Sequence, residues 1–301
     1  MAIFNKNNQD YIDGNTTLFE TSVLARPNGL PIAEDNFLYV GEYTSKNRLK
    51  ISTYETLFFN TFQYGKETDV WDEITTGDAD ATHNINTNNI DMRVGGTAGD
   101  SIYRQTQNVM RYIPGKQSQL TFAIRMEIPT TGIRRRFGLF DEENGFYFED
   151  SGTIINGIPQ YNVVVRTSTS GSVVEIRVPR ADWNGDKLDG TGKSGIIADA
   201  IKQQLIGFEY EWYGAGQLRI IWSIQGVTHI IHTFNHANLE SLPWCSTPFL
   251  PIRMEIECIT TVGGNHYIYQ GSNSLITEGG SAANHKVGTG ENISSPITGT
   301  T

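Results

Sequence analysis

The stretch DWNGDKLDGTGKSG, residues 182–195, gathers the residue types most able to do chemistry. Asp182, Asn184 and Asp186 fill positions 1, 3 and 5 of a D-x-N-x-D frame, and Asp189 adds a further oxygen donor. Alternate residues of a tight loop can aim oxygens at one hard cation, so calcium is the metal this spacing would suit. An EF-hand loop next requires Gly at position 6 and Glu at position 12, and those places hold Lys187 and Lys193. What remains is a looser oxygen site, set against Asx turns in which the same side chains bond their own backbone. The turn is the favoured reading. Gly192-Lys193-Ser194 imitates the end of a phosphate-binding loop. Its opening glycine would fall on Lys187, and no apolar strand precedes it, so nucleotide binding is not expected.

Other candidates are weaker. His229, His232 and His236 sit close together, but on a regular strand 229 and 232 point to opposite faces and cannot share a metal without a bulge. Glycoside hydrolysis needs two carboxylates across a sugar. Glu209 and Glu211, and likewise Glu255 and Glu257, share strand faces, but no E-x-D-x-E or E-x-D-x-x-E string of sandwich-type glucanases occurs, and Glu-x-Glu is common on solvated strand faces. No G-x-S-x-G elbow is present. In the run Arg134 to Arg136, the outer two residues face one way and Arg135 the other, able to pair with acidic strands of the same sheet or across a subunit boundary. Trp183, Tyr213 and Trp244 are the candidates for stacking on a glycan; Trp212 and Trp222 alternate as core residues do.

The elements that must position these residues are strands. Leu120, Phe122, Ile124, Met126 and Ile128 alternate with polar residues, as do Phe208, Tyr210 and Trp212, and Ile252, Met254, Ile256 and Cys258. Two hairpins are expected, turning at Glu143-Asn144-Gly145 and at Ser170-Gly171. The segment 194–208 offers one short helix, with Ser194 as N-cap and Gly207 near its end. About a dozen strands with closely spaced turns predict an all-β, two-sheet antiparallel sandwich, jelly-roll or concanavalin-like. The expected division is an extended N-terminal arm over 1–45, a sandwich core over 46–270 and an extended C-terminal tail over 271–301.

Bulk properties agree. Of the 301 residues 38% are hydrophobic and 19% charged, with a net charge of −10. That acidity argues against nucleic acid as a partner, because a basic surface is needed to displace counterions. No run is long and apolar enough for a transmembrane helix, and the N-terminus shows no secretory signal, so synthesis in a cytoplasm is expected and no membrane association. Cys245 and Cys258 lack metal-ligand spacing, and whether they pair is left open.

Five strings carry a resemblance: RYIPGKQSQLTF (111–122), RRRFGLFDEENGFYFE (134–149), VVVRTSTSGSVVEIRVPRADWNGDKLDGTGKSG (163–195), FEYEWYGAGQLRI (208–220) and STPFLPIRMEIE (246–257). In these the chain resembles virion structural proteins of tailed bacteriophages from aquatic bacteria, cyanophages included. The resemblance implies a virion subunit of the tail, baseplate or fibre apparatus or of the capsid surface. Its partners would be copies of itself and other virion proteins, and it implies no reaction and no named binding residues. The polar arms, unable to fold alone, suit docking on neighbours. The expectation is therefore a non-enzymatic particle protein without a cofactor, calcium at the Asp-rich loop excepted. Two alternatives stand beside it: a receptor module for host-surface glycan on the same fold, and a glycan depolymerase, which requires two carboxylates about 5 to 9.5 Å apart in a groove.

Overall fold

The architecture is that of a computed structural model, which describes residues 54–199, 201–211 and 214–278. Fifteen strands follow one another. They are β1 (Tyr54–Asn60), β2 (Trp71–Thr76), β3 (Ala79–Asn84), β4 (Asn89–Val94), β5 (Ser101–Thr106), β6 (Ser118–Met126), β7 (Ile133–Phe140) and β8 (Gly145–Ile155). Then come β9 (Ile158–Thr167), β10 (Val174–Pro179), β11 (Gln204–Tyr210), β12 (Leu218–Ile224), β13 (Val227–Phe234), β14 (Ile252–Cys258) and β15 (His266–Glu278). They form two antiparallel sheets, so the all-β sandwich is what the chain builds. The first sheet has the order β13-β12-β11-β6-β15-β4-β3, with β1 also paired to β15; the second is β10-β9-β8-β7-β14-β5-β2.

Alternation does the folding. Along β6 every second residue is buried, and Leu120, Phe122, Ile124 and Met126 enter the space between the sheets. Ile252, Met254 and Ile256 of β14 meet them from the other side, and the rings of Phe122 and Phe137 lie edge to face at 5.2 Å between centroids. Ile128, expected on the same face, lies beyond the end of β6 and is exposed. Both expected hairpins form. Asp141 and Asn144 close the β7–β8 turn, and Gly171 N–H donates to the Ser168 carbonyl in the β9–β10 turn. Gly171 has a φ of 87°, which a side chain would resist.

Three expectations need correction. The helix over 194–208 does not form: the segment runs as bends into β11, a central strand held by β6 and β12. Gly207, read as a helix end, is a mid-strand residue, where an added Cβ would come within 2.9 Å of the Leu120 carbonyl oxygen and 3.1 Å of Ile221. The one helical turn among the described residues is the 3-10 turn Arg180–Asp182. The C-terminal boundary at 270 also moves, because β15 continues to Glu278, pairing with β1 and β6 past a bulge between Gln270 and Asn273. Finally, a bulge in the β12–β13 ladder sets His229 opposite Trp222 and His232 opposite Ile220, so both imidazoles belong to the core side. The proposed arm at 1–45 and the tail beyond 278 lie outside the described residues.

Candidate functional site

The densest collection of chemically capable side chains lies on the outward face of the second sheet. Strand alternation puts Arg253, Glu255 and Glu257 of β14 there, because Ile252, Met254, Ile256 and Cys258 take the inner positions. The β7–β14 register sets Arg136 opposite Glu255 and Arg134 opposite Glu257. Arg136 contacts Glu255 and lies 3.4 Å from Glu257, while Arg134 reaches Glu257 at 2.7 Å. The expected partner of the arginine run is thus an acidic strand of the same sheet. Arg135, as alternation predicts, turns inward, where it pairs with the buried Asp150 at 2.7 Å.

The ladder continues across β8, β9 and β10. Glu149 binds Arg177 at 2.8 Å, and Glu175 receives Arg166 at 2.8 Å and the Tyr147 hydroxyl at 2.7 Å. Burial pushes the Glu175 carboxyl up, but the bonds from Tyr147 and Arg166 and the charges of Arg166 and Arg177 outweigh it and hold it down at about 2. Burial likewise pushes the Tyr147 hydroxyl up to about 12, so it stays a neutral donor.

Beneath these charges lies a small apolar floor of Phe140, Tyr147 and Val164, separate from the main core and fully buried. Gly138 faces Tyr147 in the adjacent strand, and a Cβ there would crowd the Tyr147 backbone and the Phe146 carbonyl. Arginines roof the floor. The Arg166 guanidinium lies 5.2 Å from the Tyr147 ring centre, and Arg253 lies 3.9 Å from Tyr103 and 5.5 Å from Phe140. Together Ser101, Tyr103, Arg134, Arg136, Glu142, Arg166, Glu175, Arg253, Glu255 and Glu257 line a groove of about 460 Å3. Glu255 and Glu257, read from sequence as a solvated strand face, are its acidic wall, and Glu255 is only 6% exposed. The signal for this groove was present in sequence as two complementary strings, RRR and R-x-E-x-E, but only the register joins them.

The Asp-rich loop does not assemble a cation site. Asp186 is buried, and its two oxygens accept the backbone N–H groups of Leu188 and Ser194 at 3.0 and 2.7 Å. Gly192 passes so close to the Asp186 carboxylate that any Cβ would strike it. Asp189 accepts both the N–H and the hydroxyl of Thr191. Asn184 exchanges two bonds with the backbone of Thr233, tying the loop to β13, while Asp182 stands exposed on the 3-10 turn. These are Asx turns. The oxygens of Asp186 and Asp189, two of the four expected calcium donors Asp182, Asn184, Asp186 and Asp189, are spent on the loop's own backbone and Thr191, as the turn reading expects.

The glycan-stacking expectation is corrected at two of its three positions. Trp183 and Trp244 are each 3% exposed and belong to the main core. Trp183 faces Phe148, and Trp244 faces Phe146. Tyr213 lies outside the described residues. An aromatic that does border this groove is Tyr103, whose place on the outward face follows from β5 alternation but whose neighbours only the β5–β14 pairing brings to it.

Comparison with known proteins bears on the fold. No family model matches the chain, and no curated protein matches it in sequence. Solved structures do match. A glycosyl hydrolase family protein from Mycobacterium fortuitum aligns with a TM-score of 0.50 at 11% identity, over 73% of this chain and 99% of that one. A beta-1,3-glucanase from Mycobacterium marinum aligns at 0.48 and 12%, covering 73% and 98%. A legume lectin-like domain from Entamoeba histolytica aligns at 0.39 and 13%, covering 71% and 92%. The expectation that the chain is not an enzyme is corrected by the first of these, because the sandwich is one it shares with a glycosyl hydrolase family protein. At such identity the likeness shows the fold and carries over no residue.

Proposed function

We propose that the chain is a carbohydrate-recognising β-sandwich whose binding face is the groove on the outward side of the second sheet. The observation that carries this reading is the combination in one groove of fixed planar donors and acceptors with an aromatic edge. Guanidinium and carboxylate groups orient one another, so their remaining donors and acceptors are held in fixed directions along the groove. Tyr103, stacked by Arg253 on one ring face, lines the groove and offers the ring's remaining apolar surface to a sugar. The groove volume of about 460 Å3 falls in the ordinary range for small-ligand sites. Retention of the folded protein by an immobilised polysaccharide, lost in Tyr103→Ala, is the test.

A second reading, hydrolysis of the bound glycan, is favoured by one specific feature. Glu255 and Glu257 project from the same side of β14 into one groove, and a pair of carboxylates flanking a sugar is what glycoside hydrolysis uses. Release of reducing ends by the wild type and its loss in both Glu255→Gln and Glu257→Gln would support it. Turnover unchanged in either variant would remove it.

The setting we propose is a phage particle, on the five strings described above. Mass spectrometry of purified virions that lack the chain would set that aside and leave the groove untouched.

A further inference from the structure

Resting on the carbohydrate reading, we propose that the groove takes a carboxylate-bearing sugar, a hexuronate or a sialate, whose acid group replaces Glu142 on Arg253. The guanidinium of Arg253 is fixed on three sides. Its Nε and Nη2 donate to Glu255 Oε2 at 3.0 and 2.9 Å, and its plane lies over Tyr103. Its remaining nitrogen, Nη1, is 2.8 Å from Glu142 Oε1 and donates a longer bond to Gln105 Oε1 at 3.5 Å. The Glu142 contact is unlike the others. The Arg253 side chain is 6% exposed, whereas the Glu142 side chain is 74% exposed. An ion pair with one partner so open contributes little, because water competes for the carboxylate and a long side chain must be held still.

The turn that carries Glu142 does not have to move for the exchange. Asp141 Oδ1 accepts the N–H groups of Glu143 and Asn144 at 2.8 and 2.7 Å, and Arg166 holds the Asp141 carbonyl. Only the Glu142 side chain need swing away. It leaves at the groove wall a guanidinium edge held in place by its stacking on Tyr103. A carboxylate suits that edge because it is what occupies it now, and a neutral hydroxyl would surrender a charge-assisted bond for a weaker one. Glu142 then acts as an internal stand-in that keeps Arg253 satisfied in the empty groove and raises the threshold for neutral sugars.

The test measures binding of wild type, Glu142→Ala and Glu143→Ala to alginate, polysialic acid, dextran sulfate and neutral laminarin. Glu143 is exposed on the same turn, so its variant matches the change in charge. Thermal unfolding confirms that all three proteins are folded. Expected is a gain of about two- to fivefold in Glu142→Ala for alginate or polysialic acid, the range that loss of an exposed competing ion pair allows. Laminarin binding stays unchanged, and Glu143→Ala shows no comparable gain. The polymer that gains identifies the sugar acid. An equal gain in Glu143→Ala, or one as large for dextran sulfate, overturns the proposal. So does no gain for either carboxylated polymer while laminarin is bound, and in that case the carbohydrate reading survives. Failure of all four polymers to bind overturns both.

Discussion

Glu255 and Glu257 project from the same side of β14 into one groove, and each meets an arginine of β7 directly across the ladder. The arrangement fixes the rotamers of both carboxylates without a ligand, which is the preorganisation a binding or catalytic face requires. It also makes the groove's chemistry depend on strand register. A slip of β14 by one residue against β7 would send Glu255 and Glu257 into the core and leave Arg134 and Arg136 unpaired.

The buried pair behind the groove should be a stability element. Asp150 and Arg135 are both fully buried, and Arg135 also donates to the Tyr267 carbonyl across the sandwich. Asp150→Ala leaves the buried Arg135 with only the more distant Glu127, 3.6 Å away, so a loss of about 3 kcal/mol is expected by chemical denaturation. A variant replacing both residues with apolar ones should recover much of that loss, because the cost lies in a buried guanidinium stripped of its nearest carboxylate.

Trp183→Ala should separate core from site. The indole is packed against Phe148, and its Nε1–H donates to the Val178 carbonyl. A destabilisation of about 3–5 kcal/mol is expected, with polysaccharide binding by the folded fraction unchanged. A stable variant that has lost binding would return Trp183 to the list of glycan contacts.

Acid sensitivity should follow Glu175. Its carboxyl titrates at about 2 in the fold against 4.5 for the free group. A depressed folded pKa means that the unfolded chain binds the proton first. The contribution to stability is therefore complete above about pH 4.5 and is lost as pH falls through about 2. Glu175→Gln should flatten the stability profile across that window, read as the denaturation midpoint against pH.

A second acid response belongs to His232. Burial lowers its pKa from 6.5 to about 4, and the neutral Nδ1 accepts the Asn184 N–H at 3.2 Å. Again the unfolded state takes the proton first, so this contribution is full above pH 6.5 and falls away towards pH 4. Hydrogen exchange of the Asn184 and Gly185 amides should quicken over that range in the wild type. Exchange that stays flat from pH 7 to 4.5, after correction for intrinsic rates, would contradict it.

Sequence made the sandwich legible because inner and outer residues alternate strictly where one face of a strand is buried; β6 and β14 are read directly from their letters. The segment 194–208 misled because Ser194 and Gly207 imitate helix ends. Its actual state is decided by β6 and β12, which lie elsewhere in the chain. The candidate site was hidden for the same reason. Arg134 and Glu257 are 123 residues apart, and local pattern says nothing of their pairing. The Asp-rich loop advertised chemistry locally and spends its oxygens on its own backbone, Asp186 on Leu188 and Ser194. Nothing in the letters themselves distinguishes a carboxylate aimed at a cation from one aimed at a neighbouring amide.

Carbohydrate binding by the outward groove is tested most directly at Tyr103, which lies in the groove and outside the main core. Affinity electrophoresis of the wild type and Tyr103→Ala through gels containing a panel of neutral and acidic polysaccharides is the measurement. At least one polysaccharide is expected to retard the wild type, and the folded variant is expected to run free of it. Equal retardation of both proteins, or free migration of the wild type through every gel, would contradict it.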